Sequence, residues 1–154
     1  MPVSCGLLMY VRRREGVRVL LAHPGGPYWR TKDAGAWSIP KGLAEEGENL
    51  LAAAQREFRE ETNLEPRPPF LPLPPLKQKG GKWVHCWAFE GNEDVSAFRS
   101  GLFEMEWPRR SGRMSSFPEV DRIELFDLDE ARRKIVAGQA GFLDELEQRL
   151  GTRD

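Results

Sequence analysis

Two apolar runs open the chain, residues 4–11 and 17–22, separated by the polar segment Arg12-Arg13-Arg14-Glu15-Gly16. Apolar runs joined by a short turn predict a β-hairpin. A glycine- and proline-rich loop follows over residues 23–35, and residues 36–39 read as a short strand stopped by Pro40. Apolar positions then recur at helical spacing over Leu50–Thr62, with Asn49 placed to cap the helix. Residues 66–75 hold six prolines in ten. Proline cannot donate to a β-ladder, so this stretch reads as a stiff connection into an edge strand; a polyproline ligand is the alternative. Beyond the turn at Gly80-Gly81, residues 82–90 place Trp83, His85, Trp87 and Phe89 on one face and Val84, Cys86 and Ala88 on the other. Apolar groups on both faces predict a central strand covered on both sides.

The last third is more polar. Residues 91–100 are expected to contain a short helix, residues 107–116 a basic loop, and residues 119–126 a strand. Asp127 or Asp129 is placed to cap a helix running to Val136. A final helix, Ala140–Leu150, spaces Phe142, Leu143, Leu146 and Leu150 along one face. Strands on both sides of a helix, followed by more helices, predict an α/β (α+β) architecture: a mixed sheet sandwiched between helices. No internal repeat or boundary divides the chain, so one domain over residues 1–154 is expected.

Composition narrows the function. The 154 residues are 40% apolar and 31% charged, with 23 basic against 24 acidic side chains. A chain of this size buries about 68–70% of its unfolded surface, enough for a core without staples. Near-neutral net charge excludes the basic footprint of a general nucleic-acid binder. No apolar run approaches the roughly 20 residues that span a bilayer. The arginines at 12–14 follow the first apolar run, which reverses the order of a secretory signal. Two cysteines, Cys5 and Cys86, read as small buried hydrophobes of a cytoplasmic protein.

The candidate chemistry lies in residues 42–64. With Glu57 at zero on a helical wheel, Glu60 falls near −60° and Glu61 near +40°, an arc of roughly 100° at about 100° per residue. Leu51, Ala54 and Phe58 occupy the adjoining arc and can pack on a sheet. Three acids on one face repel one another, and a bound divalent cation reverses that repulsion. Carboxylate oxygens are hard ligands that suit Mg²⁺ or Mn²⁺. A solvated face is the competing reading, since Arg56 can pair with Glu60 and Arg59 is nearby.

Gly42, five residues, Glu48, seven residues, and then Arg56-Glu57-Phe58-Arg59-Glu60-Glu61-Thr62-Asn63-Leu64 resembles the signature of the Nudix hydrolase family. Every position matches except one, where Asn63 replaces the final glycine. That position follows the helix, where a left-handed residue is expected and asparagine is the usual substitute. The resemblance implies a mixed sheet between helices, and hydrolysis of a nucleoside diphosphate linked to another group with Mg²⁺ or Mn²⁺. It implies that Glu57, Glu60 and Glu61 are metal ligands, that Arg56 orients them, and that Glu48 supports either the helix or the residues directly behind the metal ligands. A backbone carbonyl near Lys41-Gly42 would complete the coordination. Within the box Glu57 and Glu60 are the candidate general bases; outside it Glu104, Glu106 and Glu119 could add a ligand or a base, or be ordinary surface acids.

The preceding residues, Trp37-Ser38-Ile39-Pro40-Lys41-Gly42, resemble the Trp-x-x-Pro-Lys-Gly lead-in of Nudix enzymes acting on diadenosine polyphosphates and related polyphosphates. Lys41 would place a cation beside a phosphate chain, or be an ordinary exposed lysine. Trp37 reads as a core residue of its strand, with base stacking the alternative. Arg109, Arg110 and Arg113 could grip further phosphates through charge-assisted bonds, or form a solvated loop. His23 and His85 could contact substrate but read rather as packed or exposed, without the partner pattern of a zinc site.

The expected protein is therefore a monomeric or homodimeric pyrophosphohydrolase acting on small nucleotide substrates. Dinucleoside polyphosphates come first and nucleoside triphosphates second. Alternatives are a nucleotide-sugar, ADP-ribose or capped-RNA pyrophosphatase, a non-catalytic nucleotide-binding module, and an interaction protein using the proline stretch. No membrane partner is expected.

Overall fold

A computed structural model describes residues 3–151. The opening hairpin forms as expected, from β1 (Ser4–Arg13) and β2 (Gly16–Pro24), with Arg13 paired to Gly16 so that only two residues make the turn. β3 (Lys41–Leu43), β4 (Leu71–Lys77), β5 (Trp83–Glu90) and β8 (Val120–Asp127) complete the main sheet. Its order is β4-β5-β1-β2-β8, with β3 also on β1. β1 and β5 run parallel and the other pairs antiparallel, so the sheet is mixed. The proline stretch leads into the edge strand β4, where missing N–H groups cost least.

Side-chain alternation along the central strands supplies two cores. Cys5, Leu7 and Met9 of β1, with Phe89 of β5, face α1 (Leu50–Thr62) and meet its Ala53, Ala54 and Phe58. Leu8 of β1 and Val84, Cys86 and Ala88 of β5 face the other way, toward α3 (Ala140–Leu150) with its buried Phe142, Leu143 and Leu146. β5 is thus covered on both faces, as its sequence implies. Burial of an aromatic such as Phe58, which is fully enclosed and packs edge-on to Phe89 at 5.3 Å, contributes about 2–3 kcal/mol.

Several elements differ from expectation. Residues 91–100 contain no helix: Asp94 N–H donates to Asn92 Oδ1 at 2.8 Å and Ser96 N–H to Asp94 Oδ1 at 3.0 Å. These short side chains capture the amides that a helix would need. Residues 107–116 are not all loop, because Met114–Pro118 (β7) pairs with Leu102–Glu106 (β6) in a separate two-stranded hairpin. The helix capped by Asp127 is α2 (Leu128–Lys134), two residues shorter than expected. Trp37 and Ser38 make two isolated bridges instead of a strand, and the regular pairing falls just after Pro40. No helix among the described residues is long and apolar enough to cross a membrane.

That last difference positions the site. β1 and β2 pair only near their turn, from Tyr10–Val19 to Arg13–Gly16, and then splay apart. Residues 38–43 enter the gap: Ser38 bridges Ala22 of β2, while Lys41–Leu43 pairs with the start of β1. The fit is tight at Gly6, where a Cβ would come within 2.5 Å of the Pro40 carbonyl oxygen. Only glycine admits the incoming backbone there.

Candidate active site

α1 carries the three carboxylates, and both its ends form as the sequence implies. Asn49 Oδ1 accepts from Ala52 N–H at 3.0 Å, and Asn63 adopts a left-handed φ of 62° while its N–H returns to the Arg59 carbonyl. Burial of Ala53, Ala54 and Phe58 fixes the helix rotation, which turns Glu57 and Glu61 toward β3 and leaves Glu60 more than half exposed. Glu61 Oε1 accepts from Lys41 N–H at 3.3 Å. The Glu57 carboxylate lies over Gly42, where a Cβ would meet its Oε1 at 2.0 Å.

Arg56 ties the acids together. Its Nε and Nη2 donate to the two oxygens of Glu48, each at 2.9 Å, and Nη1 donates to Glu57 at 3.0 Å and Glu60 at 3.3 Å. Nη2 also reaches the Leu43 carbonyl. The paired guanidinium, helped by the Glu45 N–H, holds Glu48 down to about 2. The other acids move the opposite way. Burial pushes Glu61 up to about 8, against the amide and charge of Lys41. Burial first, and then the charge of Glu60, raises Glu57. Carboxylates of this kind favour a proton or a cation nearby.

Of the three candidate acids outside the box, Glu119 is drawn in. Its charge acts on both Glu57 and Glu61, and its backbone is held by Gly101, whose N–H donates to the Glu60 carbonyl. Glu106 is spent within its own hairpin on Gly112 N–H, and Glu104 is exposed on β6. Arg109, Arg110 and Arg113 form the exposed hairpin tip, at the opposite end of β6 from Gly101. His23 is buried, with Nδ1 2.7 Å from Asp121 Oδ1 and Nε2 2.6 Å from the Lys32 carbonyl. His85 is half-buried, and Cys5 and Cys86 are buried, their thiols raised mainly by burial. Trp37 is a core residue, 1% exposed.

Two contributors carry no sequence signal of their own. Gly6 admits the Pro40 backbone, and Gln139, from 100 residues downstream, bonds to Ile39. A single glycine in a strand or a lone glutamine before a helix gives no pattern to read.

Among the described residues, no three acidic, histidine or cysteine side chains are drawn together closely enough to hold an ion as they stand. Arg56 holds the Glu57 and Glu60 carboxylates instead. The donor set nevertheless fits a hard divalent cation. Three carboxylates share one helical face, two of them lie against the Lys41-Gly42 backbone, and the cradle at Gly42 is one that a Cβ would fill.

A family model described as the NUDIX domain matches residues 3–146. The chain is 39% identical over 62 residues to an RNA pyrophosphohydrolase of Caulobacter vibrioides, covering 37% of this chain and 36% of that protein. It is 41% identical over 54 residues to Nudix hydrolase 10 of Arabidopsis thaliana, covering 35% of this chain and 20% of that protein. The match thus spans about a third or less of these curated relatives. In fold, the chain is similar to a C. elegans Ap4A hydrolase in a binary complex, with a TM-score of 0.66 at 20% identity over 96% of this chain and 97% of that one. It is similar also to a NUDIX hydrolase of Listeria monocytogenes, with a TM-score of 0.67 at 17% identity over 97% and 94%.

Proposed function

Because the chain belongs to the NUDIX family, we propose that it is a pyrophosphohydrolase that cleaves a nucleoside diphosphate-linked substrate with Mg²⁺ or Mn²⁺. The observation that carries this reading is the placement of Glu57 and Glu61 against the Lys41-Gly42 backbone, with Glu60 tied in through Arg56. Glu57, Glu60 and Glu61 hold the ion, with the Gly42 peptide as a further oxygen donor. When bound, the ion neutralises pyrophosphate oxygens and activates a water. Arg56 tethers the Glu57 and Glu60 carboxylates to one guanidinium nitrogen, and Glu48 fixes Arg56 by the bidentate pair. Glu57 or Glu60 takes the proton of the attacking water, with Glu119 the candidate outside the box. Lys41 supplies a cation to the phosphate chain.

A dinucleoside polyphosphate is the first substrate proposed, on the Trp37-Ser38-Ile39-Pro40-Lys41-Gly42 lead-in and the half-buried placement of Lys41 beside Glu61. An RNA carrying a pyrophosphate linkage is the second, favoured by the local 39% identity to an RNA pyrophosphohydrolase. The three intact acids argue against a non-catalytic module, which has no need of that spacing. The test is a Mg²⁺-supplemented substrate panel in ¹⁸O-labelled water with products resolved by anion exchange. Turnover is expected on a polyphosphate and is cut on the order of 10²–10⁴-fold by Glu60→Gln. Near-normal turnover of that variant removes Glu60 from the mechanism, and no turnover on any nucleotide overturns the reading.

A further inference from the structure

We infer that Gln139 is a positioning residue for the carboxylate cradle, fixing the Ser38-Ile39 peptide and through it the Lys41-Gly42 backbone that faces Glu57 and Glu61. This rests on the reading of α1 as the metal and pyrophosphate site.

The backbone from residue 37 to 41 changes partners at every step. Trp37 N–H donates to the Lys134 carbonyl, and Val136 N–H donates back to the Trp37 carbonyl. Ser38 exchanges both bonds with Ala22 of β2. Lys41 belongs to the β1 pairing, and its N–H goes to Glu61. Between these two ladders Pro40 has no N–H, though its carbonyl accepts from Leu7 N–H at 3.3 Å, and Ile39 pairs with no strand. A peptide buried at such a switch needs its polar atoms satisfied from elsewhere.

Gln139 meets that need at Ile39. It is 2% exposed; its Oε1 accepts from Ile39 N–H at 3.0 Å and its Nε2 donates to Ser38 Oγ at 3.1 Å. Ser38 Oγ in turn donates to the Ile39 carbonyl at 2.7 Å, so one carboxamide and one hydroxyl satisfy both ends of the Ile39 residue. The carboxamide is not used to cap α3, although Gln139 stands at its N-cap position. Its own N–H is bonded to the Val136 carbonyl, which fixes the backbone from which the side chain reaches. Two residues beyond Ile39, the chain donates to Glu61, and three residues beyond, it passes under Glu57. Release of Ile39 therefore loosens the backbone under Glu57 and Glu61 without altering any carboxylate side chain itself.

The test uses the full chain with Gln139→Met, which keeps side-chain length and removes both bonds, beside Val84→Ala as a core control with a comparable loss of Tm. Amide hydrogen exchange is read at residues 39–42, and Mn²⁺ binding without nucleotide is read by electron paramagnetic resonance of the free ion. Faster exchange at residues 41 and 42 together with a roughly tenfold weaker Mn²⁺ affinity, neither seen in the control, supports the inference. Unchanged exchange at 41 and 42 overturns it, as does faster exchange with wild-type Mn²⁺ affinity. If Gln139→Met does not fold, Ser38→Ala, which removes only the hydroxyl between Nε2 and the Ile39 carbonyl, is read by the same two criteria. Absence of Mn²⁺ binding by the wild-type chain is a separate outcome: it overturns the metal-site reading, and the inference with it.

Discussion

The Glu57 carboxylate rests on Gly42, so closely that a Cβ at residue 42 would lie 2.0 Å from Oε1 and 2.1 Å from Cδ. The contact joins the loop end of the acidic box to its helix. Gly42 has no left-handed φ, so alanine fits its backbone and the conflict is confined to the side-chain contact. Gly42→Ala should therefore keep its circular dichroism while displacing Glu57. Displacements near 1 Å can cost about 10² in rate, and a loss of that order in kcat is expected. A wild-type rate would remove the Gly42–Glu57 contact from the working geometry.

Arg56 makes a second prediction. Its fork grips Glu48 through two nitrogens while the third reaches Glu57 and Glu60, a geometry that an ammonium cannot reproduce. Arg56→Lys keeps the charge, yet should weaken Mn²⁺ binding by roughly 10–100-fold. Full affinity in the lysine variant, measured by calorimetry, would show that charge alone suffices.

Much of this arrangement is legible in the sequence, for local reasons. The bounds of α1 follow from Asn49 and Asn63, whose side chain and left-handed backbone act on the nearest turn. The shared face of the three acids follows from helical periodicity alone. The β6–β7 hairpin is missed because its alternation is weak: Phe103, Met105 and Phe117 turn inward, but Leu102 and Met114 are exposed. Residues 36–39 mislead because their partners lie on three different elements, at Ala22, Lys134 and Gln139. No periodicity records a segment that changes partner at each residue.

The acids of the box also set a pH dependence with two windows. Glu61 stands near 8 in the fold against an ordinary 4.5, so between those values the native state keeps a proton that the unfolded chain releases. Its contribution therefore lowers stability as pH rises from 4.5 toward 8. Glu48, held down to about 2, stabilises above 4.5 and loses that effect as pH falls toward 2. The metal-free protein should show its highest Tm near the boundary of the two windows and a lower one at pH of about 8. Mn²⁺ should raise Tm more at pH of about 8 than at about 5, because binding displaces the proton. Glu61→Gln should raise the metal-free Tm at the higher pH and abolish most of the Mn²⁺ effect. Scanning calorimetry with and without Mn²⁺ checks both, and a metal-free Tm that rises steadily to pH 8 contradicts the assignment to Glu61.

The hairpin tip supplies the last prediction. Arg110 holds a left-handed φ of 61°, a conformation that costs a bulky residue about 1–3 kcal/mol and persists where the surroundings over-determine it. Glu106, the acid nearest in sequence, accepts from Gly112 N–H at 2.6 Å within the loop. The hairpin is rooted beside the box through Gly101 N–H and the Glu60 carbonyl, and β6 carries its tip about 16 Å further at about 3.3 Å per residue. Only an extended ligand bridges that span. Replacing Arg109 and Arg110 together with alanine should then raise KM for long phosphate chains or oligonucleotides and leave kcat and KM for short nucleotides unchanged. Steady-state kinetics on a series of increasing chain length reads this directly. Equal changes in KM across the series would place the arginines outside substrate binding, as a solvated loop.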